Sequence, residues 1–359
     1  MPGRQGPTLS RPRVNIAGAG PAGLTAAIVL ARRGHAVRVY ERSHQVGRRF
    51  NDDFQGLENW STRGDCLDEL RAHGVEPTWW SVPFSQSELR LSALRAAVVR
   101  SPRPLFYALR RGAAHPGSLD NALLRQARAA GVEVCLGQRA EPSAVQIFAG
   151  GPSGRPVALA RGLSFALDRP EFSATILCDH LAPRGYIYFL VAEGQATLGT
   201  VQVGDLRGST QRLQAAVDAV ERRWEFRVPA TAAAWAGHAG FAIPRHCMRG
   251  RTLVVGEAAG FQDALFGFGI RTAMLSGALA AISLSGGQDY ESAWRSRLLP
   301  YMRASQLNRA VYERAGAAKS LLWHLLKSSP DARPVLRRLY AHSPIHQMLS
   351  PFVRAGLGA

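Results

Sequence analysis

The stretch RVNIAGAGPAGLTAAIVLARRGHAVRVYE, residues 13–41, constrains the fold of this chain more than any other. RVNIAG alternates and ends in glycine, as a buried strand does. PAGLTAAIVLARRG follows, with proline in its first turn and glycine just past its end, the punctuation of a helix; AVRVYE is a second strand. Strand, turn, helix and strand within 29 residues form one βαβ unit. Gly18, Gly20 and Gly23 stand in its turn at the spacing G-x-G-x-x-G. The first glycine permits the tight turn, the second lets backbone approach a pyrophosphate, and the third lets helix and strand pack closely. With Pro21 and Ala22 they are candidate cofactor-binding residues, because a helix start offers free N–H groups and partial positive charge to phosphates. Glu41 ends the second strand about 20 residues on, where a carboxylate meets ribose hydroxyls. An acidic residue there argues against a 2′-phosphate, hence against NADP in this turn. NAD and FAD both stay open.

The chain has 359 residues, of which 46% are hydrophobic, enough for two interlocked domains. Strand-like runs entering glycines recur at VQIFAGG and RTLVVGEAAG, and the intervening segments are rich in strand patterns and paired tryptophans. The organisation expected is a nucleotide-binding domain assembled from residues 13–74, 104–159 and 238–290. A second, mostly β domain comes from 75–103 and 160–237, followed by a helical segment, 291–359. Residues 1–12 read as a disordered tail rather than a signal peptide, since no apolar stretch follows the basic residues.

Net charge is +18, which favours anionic partners. Arginine bias explains part of it, because only Lys319 and Lys327 among the 44 basic residues are lysines. No nucleic-acid module is recognisable. The C-terminal stretch 318–354 sets leucines and tryptophan against basic residues, the pattern of a helix lying on an anionic membrane surface. No apolar run reaches membrane-spanning length. Cys66, Cys135, Cys178 and Cys247 are scattered, without metal-ligand spacing, which points to reduced thiols in a cytoplasmic protein and to no metal site.

A second glycine-rich stretch, GEAAGFQDALFGFGI (256–270), needs its own explanation, because one phosphate loop suffices for a nicotinamide dehydrogenase. An extended FAD carries a flavin and ribityl chain far from its adenosine, and these need a second cradle. Here a strand end presents Glu257, and Gly267 and Gly269 open a helix at about Ile270, whose N–H groups would face flavin N1. Ala273, Gly277 and Ala280 give that helix a small face for packing on the first βαβ helix.

The combination GAGPAG…YER, YALRRG…LDNALLRQARAAGVEV, GYIYFLV and GEAAGFQDALFGFGIRTAMLSGALAA resembles the geranylgeranyl reductase family of flavoproteins, within the wider p-hydroxybenzoate-hydroxylase-like class. The resemblance covers most of residues 13–350. It implies an α/β fold: a Rossmann-type FAD-binding domain with an inserted mostly β substrate domain and a C-terminal helical segment. It also implies non-covalent FAD, with NAD(P)H as a candidate electron donor. Carried over, Glu41 and Arg42 belong to the adenosine end, Gly256 and Glu257 to the ribityl chain, and Gly267, Gly269 and Ile270 to the flavin. Arg110 or Arg111 falls where the family often keeps an arginine near the cofactor, and Arg48 and Arg49 are placed similarly; Arg111 and Arg49 are the candidates taken from the two pairs. The family's aspartate is Glu257 here. The hydroxylases' A-D-G motif reads AGGPSG (149–154), without aspartate, and the reductases' G-Y-x-W-x-F-P reads GYIYFLV.

Proton donors are less conspicuous. Tyr186 and Tyr188 alternate on one sheet face, and His238 precedes AGFAIP, where the chain returns to the first domain; these three are the catalytic candidates. Phe266, Phe268 and Trp80, with neighbouring Trp79, are candidates for an apolar substrate pocket, and Asp263 for a substrate-orienting or helix-start carboxylate. The expected activity is hydride transfer from reduced flavin to a C=C of a lipophilic, isoprenoid-like substrate. The alternatives are an oxygenase acting on an aromatic or protein-borne substrate, and a flavin protein that only carries electrons. A halogenase is disfavoured, since that branch uses an early lysine and none precedes Lys319.

Overall fold

In the computed structural model of the chain, residues 12–92, 95–152, 156–314 and 318–341 are described. Val14–Ala17, whose apolar residues are buried, lies inside a six-stranded sheet. It pairs in parallel with Val37–Glu41 on one side and Ile147–Phe148 on the other. Glu133–Leu136 and Thr252–Val254 extend the sheet in parallel, and Met248–Arg249 adds an antiparallel edge. Strands distant in sequence therefore return to flank the first βαβ unit.

Two helices pack against each other beside this sheet. Pro21–Arg32 is buried along most of its length, as its run of Ala, Ile, Val and Leu requires. It crosses Ile270–Leu284 closely enough that a Cβ on Gly277 would sit 2.1 Å from the Ala22 carbonyl oxygen. Any larger residue at 277 would push the two helices apart. Arg271, buried on the second helix, pairs with Glu58 and Glu69 and donates to Ser61 Oγ, tying the helix to the segment around residue 60.

The second sheet has seven strands, running in space Ala233–Ala239, Ala158–Ala166, Gln195–Val203, Tyr186–Ala192, Phe172–Ile176, Gln86–Arg90 and Ala96–Arg100. Its strands alternate. Ile187, Phe189 and Val191 meet the helix Ser209–Trp224 through Leu213, Val217 and Val220, which turns Tyr186, Tyr188 and Leu190 toward a cavity on the opposite face. A small antiparallel sheet of Phe54–Glu58, Phe106–Arg110 and Ser81–Phe84 joins the two larger ones. Here the strand at 81–84 pairs with 106–110, and Val82 and Phe84 bury with Phe54 and Ala108 on one side and Leu190 and Ala192 of the larger sheet on the other.

The helices Tyr290–Arg297, Leu299–Arg314, Ala318–Lys327 and Ala332–Tyr340 complete the described chain. Leu322, Trp323, Leu326 and Leu336 turn inward and join the main core. Of the expected surface helix, residues 342–354 lie outside the described residues, as do residues 1–11 of the tail. Among the described residues no helix is long and apolar enough to cross a membrane, no cluster of potential metal ligands occurs, and the four cysteines are free.

Candidate active site

At the turn Gly18–Gly23 the chain leaves a strand and enters a helix with no side-chain cap at Gly20. Gly18 has φ +99°, and a Cβ there would meet the Ala149 carbonyl oxygen at 2.2 Å. Only glycine makes this turn against the neighbouring strand. A Cβ on Gly20, by contrast, would meet nothing within 4 Å: this residue borders open space. That space is a cleft lined by Gly18, Gly20, Pro21, Glu41, Arg42 and Arg49, among others. Ala22 and Gly23 lie behind the turn, where they let helix and strand approach. A helix start with free N–H groups, bordered by arginines, fits a pyrophosphate.

Two expected ligands of this cleft are already engaged. Glu41 accepts from Ala19 N and Ser43 N, both at 2.9 Å, so its carboxylate shapes the turn as well as facing the cleft. Arg111 is buried and forks onto Asp120 at 2.9 and 3.0 Å, also donating to Gln55 Oε1 at 2.8 Å. Burial alone would raise the Asp120 carboxyl, but Arg111 and the Gly112 amide hold it below the ordinary carboxylate range. The guanidinium of Arg111 lies 4.1 Å from the centre of the Phe50 ring, and that of Arg49 4.8 Å from it.

Arg49 and Phe50 line a second cavity too, so the two spaces meet there. At this junction Arg49 donates to Glu257 Oε2 at 2.8 Å. The second cavity lies between the seven-stranded sheet, the turn at 262–270 and the C-terminal helices. Phe266, Gly267, Phe268, Gly269 and Ile270 form one wall; Tyr186, Tyr188, Leu190 and Trp235 form another; Leu322, Leu326 and Leu336 close its far side. Arg49 and Glu257, paired with each other, are the only Asp, Glu, Lys or Arg side chains among its described lining residues. The helix Ile270–Leu284 starts at this wall without a side-chain cap, as the first helix does at the cleft. Gly256 is set back from the cavity, its amide donating to Ser276 Oγ at 2.9 Å and its α-carbon facing Ala22.

Tyr186 and Tyr188 share the face expected of them, but only one hydroxyl is free. Tyr186 donates to the Phe266 carbonyl, so its single proton is committed to holding the turn. Tyr188 has no hydrogen-bond partner among the described residues; its ring leans on Trp235 at 6.1 Å. Burial pushes both phenols well up, which keeps them protonated. His238 sits exposed at the rim of the cavity. Trp80 does not wall the cavity: it stacks on Phe54 at 5.2 Å and donates from Nε1 to Glu193 at 2.6 Å, because the strand it introduces belongs to the small sheet. Trp79 is buried in the main core. Asp263 faces away from the cavity and is fully buried under the turn.

Residues without a sequence signal do much of the lining. Trp60 meets Phe268 edge-on at 4.8 Å, and Trp235 reaches Tyr188 over Gly199, where a Cβ would clash with both rings. The three leucines come from helices about 60 residues beyond the glycine turn they face.

A family model described as an NAD(P)-binding Rossmann-like domain matches residues 16–61. Among curated protein sequences nothing matches the chain. Solved structures do. A geranylgeranyl bacteriochlorophyll reductase-like protein from Thermoplasma acidophilum superposes with a TM-score of 0.72 at 16% identity, covering 96% of each chain. A flavin-dependent brominase gives 0.67 at 16% identity, covering 96% of this chain and 98% of the other. A peptidyl tryptophan dihydroxylase essential for tryptophylquinone cofactor biogenesis gives 0.62 at 19%, covering 89% and 80%. At these identities the likeness is one of fold: the chain shares its architecture with proteins named for reduction, halogenation and hydroxylation.

Proposed function

We propose that the chain is an FAD-dependent oxidoreductase that delivers hydride to a C=C bond of an uncharged, lipophilic substrate. The observation that carries the reading is the pair of uncapped helix starts, at Gly20 and Gly269, each opening on its own cavity, with the two cavities meeting at Arg49 and Phe50. An extended dinucleotide with a redox-active ring at one end fits that arrangement better than a compact one. Gly18, Gly20, Glu41 and the arginines of the cleft would hold its adenosine and pyrophosphate. Glu257 would take the ribityl chain, and Gly267, Gly269 and Ile270 the ring.

A bound flavin would supply the hydride. The protein's own residues do the rest. The helix start at Ile270 favours negative charge beside it through its N–H groups and dipole. Phe266, Phe268, Trp60 and Trp235 exclude water and strengthen that field. Tyr188, kept protonated by burial, would be the residue placed to give a proton to one carbon of the C=C when the other carbon takes hydride, so that two C–H bonds would replace the π bond. Among the described lining residues the Asp, Glu, Lys and Arg side chains are paired with each other, which favours a substrate without a charged group in this cavity, because an unpaired buried charge costs several kcal/mol. The name of the reductase-like structure agrees with this reading; that of the dihydroxylase favours oxygen insertion instead.

The purified protein should be yellow with non-covalent FAD. Anaerobic single turnover of the reduced protein with polyprenyl or enone acceptors and deuterated donor should place deuterium on carbon. Oxygen incorporation in air, with no deuterium gained, would transfer the assignment to an oxygenase.

A further inference from the structure

We propose that Asp263 and Tyr340 act together as a positioning pair for the turn 264–269, which makes the C-terminal helix Ala332–Tyr340 part of the redox site. The inference rests on the flavin reading above but concerns residues that touch neither cavity.

The turn has little regular structure of its own. Inside it, Asp263 N donates to the Phe268 carbonyl at 2.8 Å and Gly267 N to the Asp263 carbonyl at 3.0 Å. The Asp263 carboxylate accepts from Leu265 N at 3.1 Å and Phe266 N at 2.7 Å. These two amides would otherwise be buried without partners, which costs about 1–3 kcal/mol each. The carboxylate itself is fully buried, and the hydroxyl of Tyr340 reaches both of its oxygens at 3.1 Å. Tyr340 is held in turn by stacking on Tyr301 at 4.9 Å. It also leans on Trp60, which meets Phe266 and Phe268 of the turn edge to face. The helix Leu299–Arg314 holds the turn through Ser305 Oγ, which accepts from Ala264 N at 2.7 Å, and Arg309, which donates to the Leu265 carbonyl at 3.4 Å; two tyrosines pin it from further away. Tyr186, from the inserted sheet, holds the Phe266 carbonyl, and Tyr340, from the last described helix, holds the carboxylate that organises the Leu265 and Phe266 amides.

Geometry at this turn decides where the N–H groups of Gly269 and Ile270 point, and a field-based site tolerates little displacement: about 1 Å can cost 10²-fold. Tyr340 brings the C-terminal helix into that geometry. The position of that helix is thereby transmitted to the ring-binding wall through one hydrogen-bonded group and one aromatic contact.

The test uses the full chain loaded with FAD, with Tyr340→Phe and Asp263→Asn as near-isosteric variants and Arg338→Ala, exposed on the same helix, as the control. FAD affinity, flavin absorption and flavin midpoint potential are measured on each, and melting of the FAD-free proteins reads the fold separately. The expected result for Tyr340→Phe is FAD binding weakened about tenfold, with shifted flavin bands and a shifted potential. Asp263→Asn should have the larger effect and Arg338→Ala none. Variants that melt lower without FAD, yet match the parent in affinity, bands and potential, would leave the pair a purely structural contact and overturn the proposal. A parent chain that binds no FAD overturns the flavin reading and the pair's role with it, an outcome visible before any variant is made.

Discussion

The two glycine turns of this protein look alike in sequence and are held in place by different means. The turn at Gly18–Gly23 is local: a strand, a tight turn and a helix within one βαβ unit, shaped by Glu41 bonding back onto Ala19 and Ser43. Its cleft is polar and rimmed by arginines. The turn at 262–270 borders an apolar cavity and is fixed from a distance, by Tyr186 80 residues before its partner, by Ser305 41 residues after and by Tyr340 77 after. Even the buried carboxylates near the turns behave oppositely. Asp120 is held down by Arg111, whereas burial lifts Asp263 to about 6 with no cation bonded to it. A phosphate-binding turn can be encoded in contiguous residues, while a ring-binding turn is a product of assembly.

The sharpest way to break this contrast is at Gly18. Gly18→Ala forces both a positive φ and a clash with Ala149, and should cost on the order of 3 kcal/mol or more, abolishing FAD retention. Gly20→Ala, with open space beside it, should melt within about 1 kcal/mol of the parent and still bind FAD poorly. Thermal melts with FAD titrations compare the two; equal melting would show that the first turn is not self-determined.

Next in size is the division of labour between the tyrosines. Tyr188→Phe should slow substrate reduction by about 10²–10⁴-fold while leaving FAD bound and flavin reduction normal. Tyr186→Phe should instead disturb FAD binding, since it releases the Phe266 carbonyl. Rapid-mixing kinetics of the two half-reactions distinguish these outcomes, and a reversed pattern would exchange the roles.

The carboxylates predict opposite responses to pH. Burial raises the folded pKa of Asp263 to about 6, against the lowering by the Phe266 and Leu265 amides and the hydroxyls of Ser305 and Tyr340; Tyr301, Tyr186 and Arg309 lie nearby. Its contribution is complete below about pH 4 and is lost as pH rises through about 6, an effect of roughly 2–3 kcal/mol at most. Asp120 contributes in the other sense: its stability is present above the ordinary carboxylate pKa and is lost in acid. Melting from pH 4 to 8 should therefore fall less steeply in Asp263→Asn than in the parent. An identical slope would mean that Asp263 does not titrate in this range.

The smallest effect belongs to Glu257. Its ion pair with Arg49 is partly exposed, and such pairs contribute about 0–1 kcal/mol, so Glu257→Gln should hardly change melting without FAD. It should still weaken FAD binding about tenfold if the carboxylate takes a ribityl hydroxyl. Isothermal titration measures this, and unchanged affinity would remove Glu257 from the cofactor site.

Residues 13–41 by themselves determined a βαβ unit with a glycine turn, because the strand period, the proline at the helix start and the glycine spacing all act over a few residues. The motif at 256–270 likewise announced a second helix start, and the alternation of Tyr186 with Tyr188 announced a shared face. What only the tertiary structure decided is which of those side chains is free. Trp80 stacks on Phe54 and gives its indole N–H to Glu193, Tyr186 spent its proton on the Phe266 carbonyl, and Asp263 turned inward to the Leu265 and Phe266 amides. Local pattern sets backbone conformation, whereas the availability of a polar atom depends on every neighbour that burial brings to it, and in this protein those neighbours come from segments that the chain's order keeps far apart.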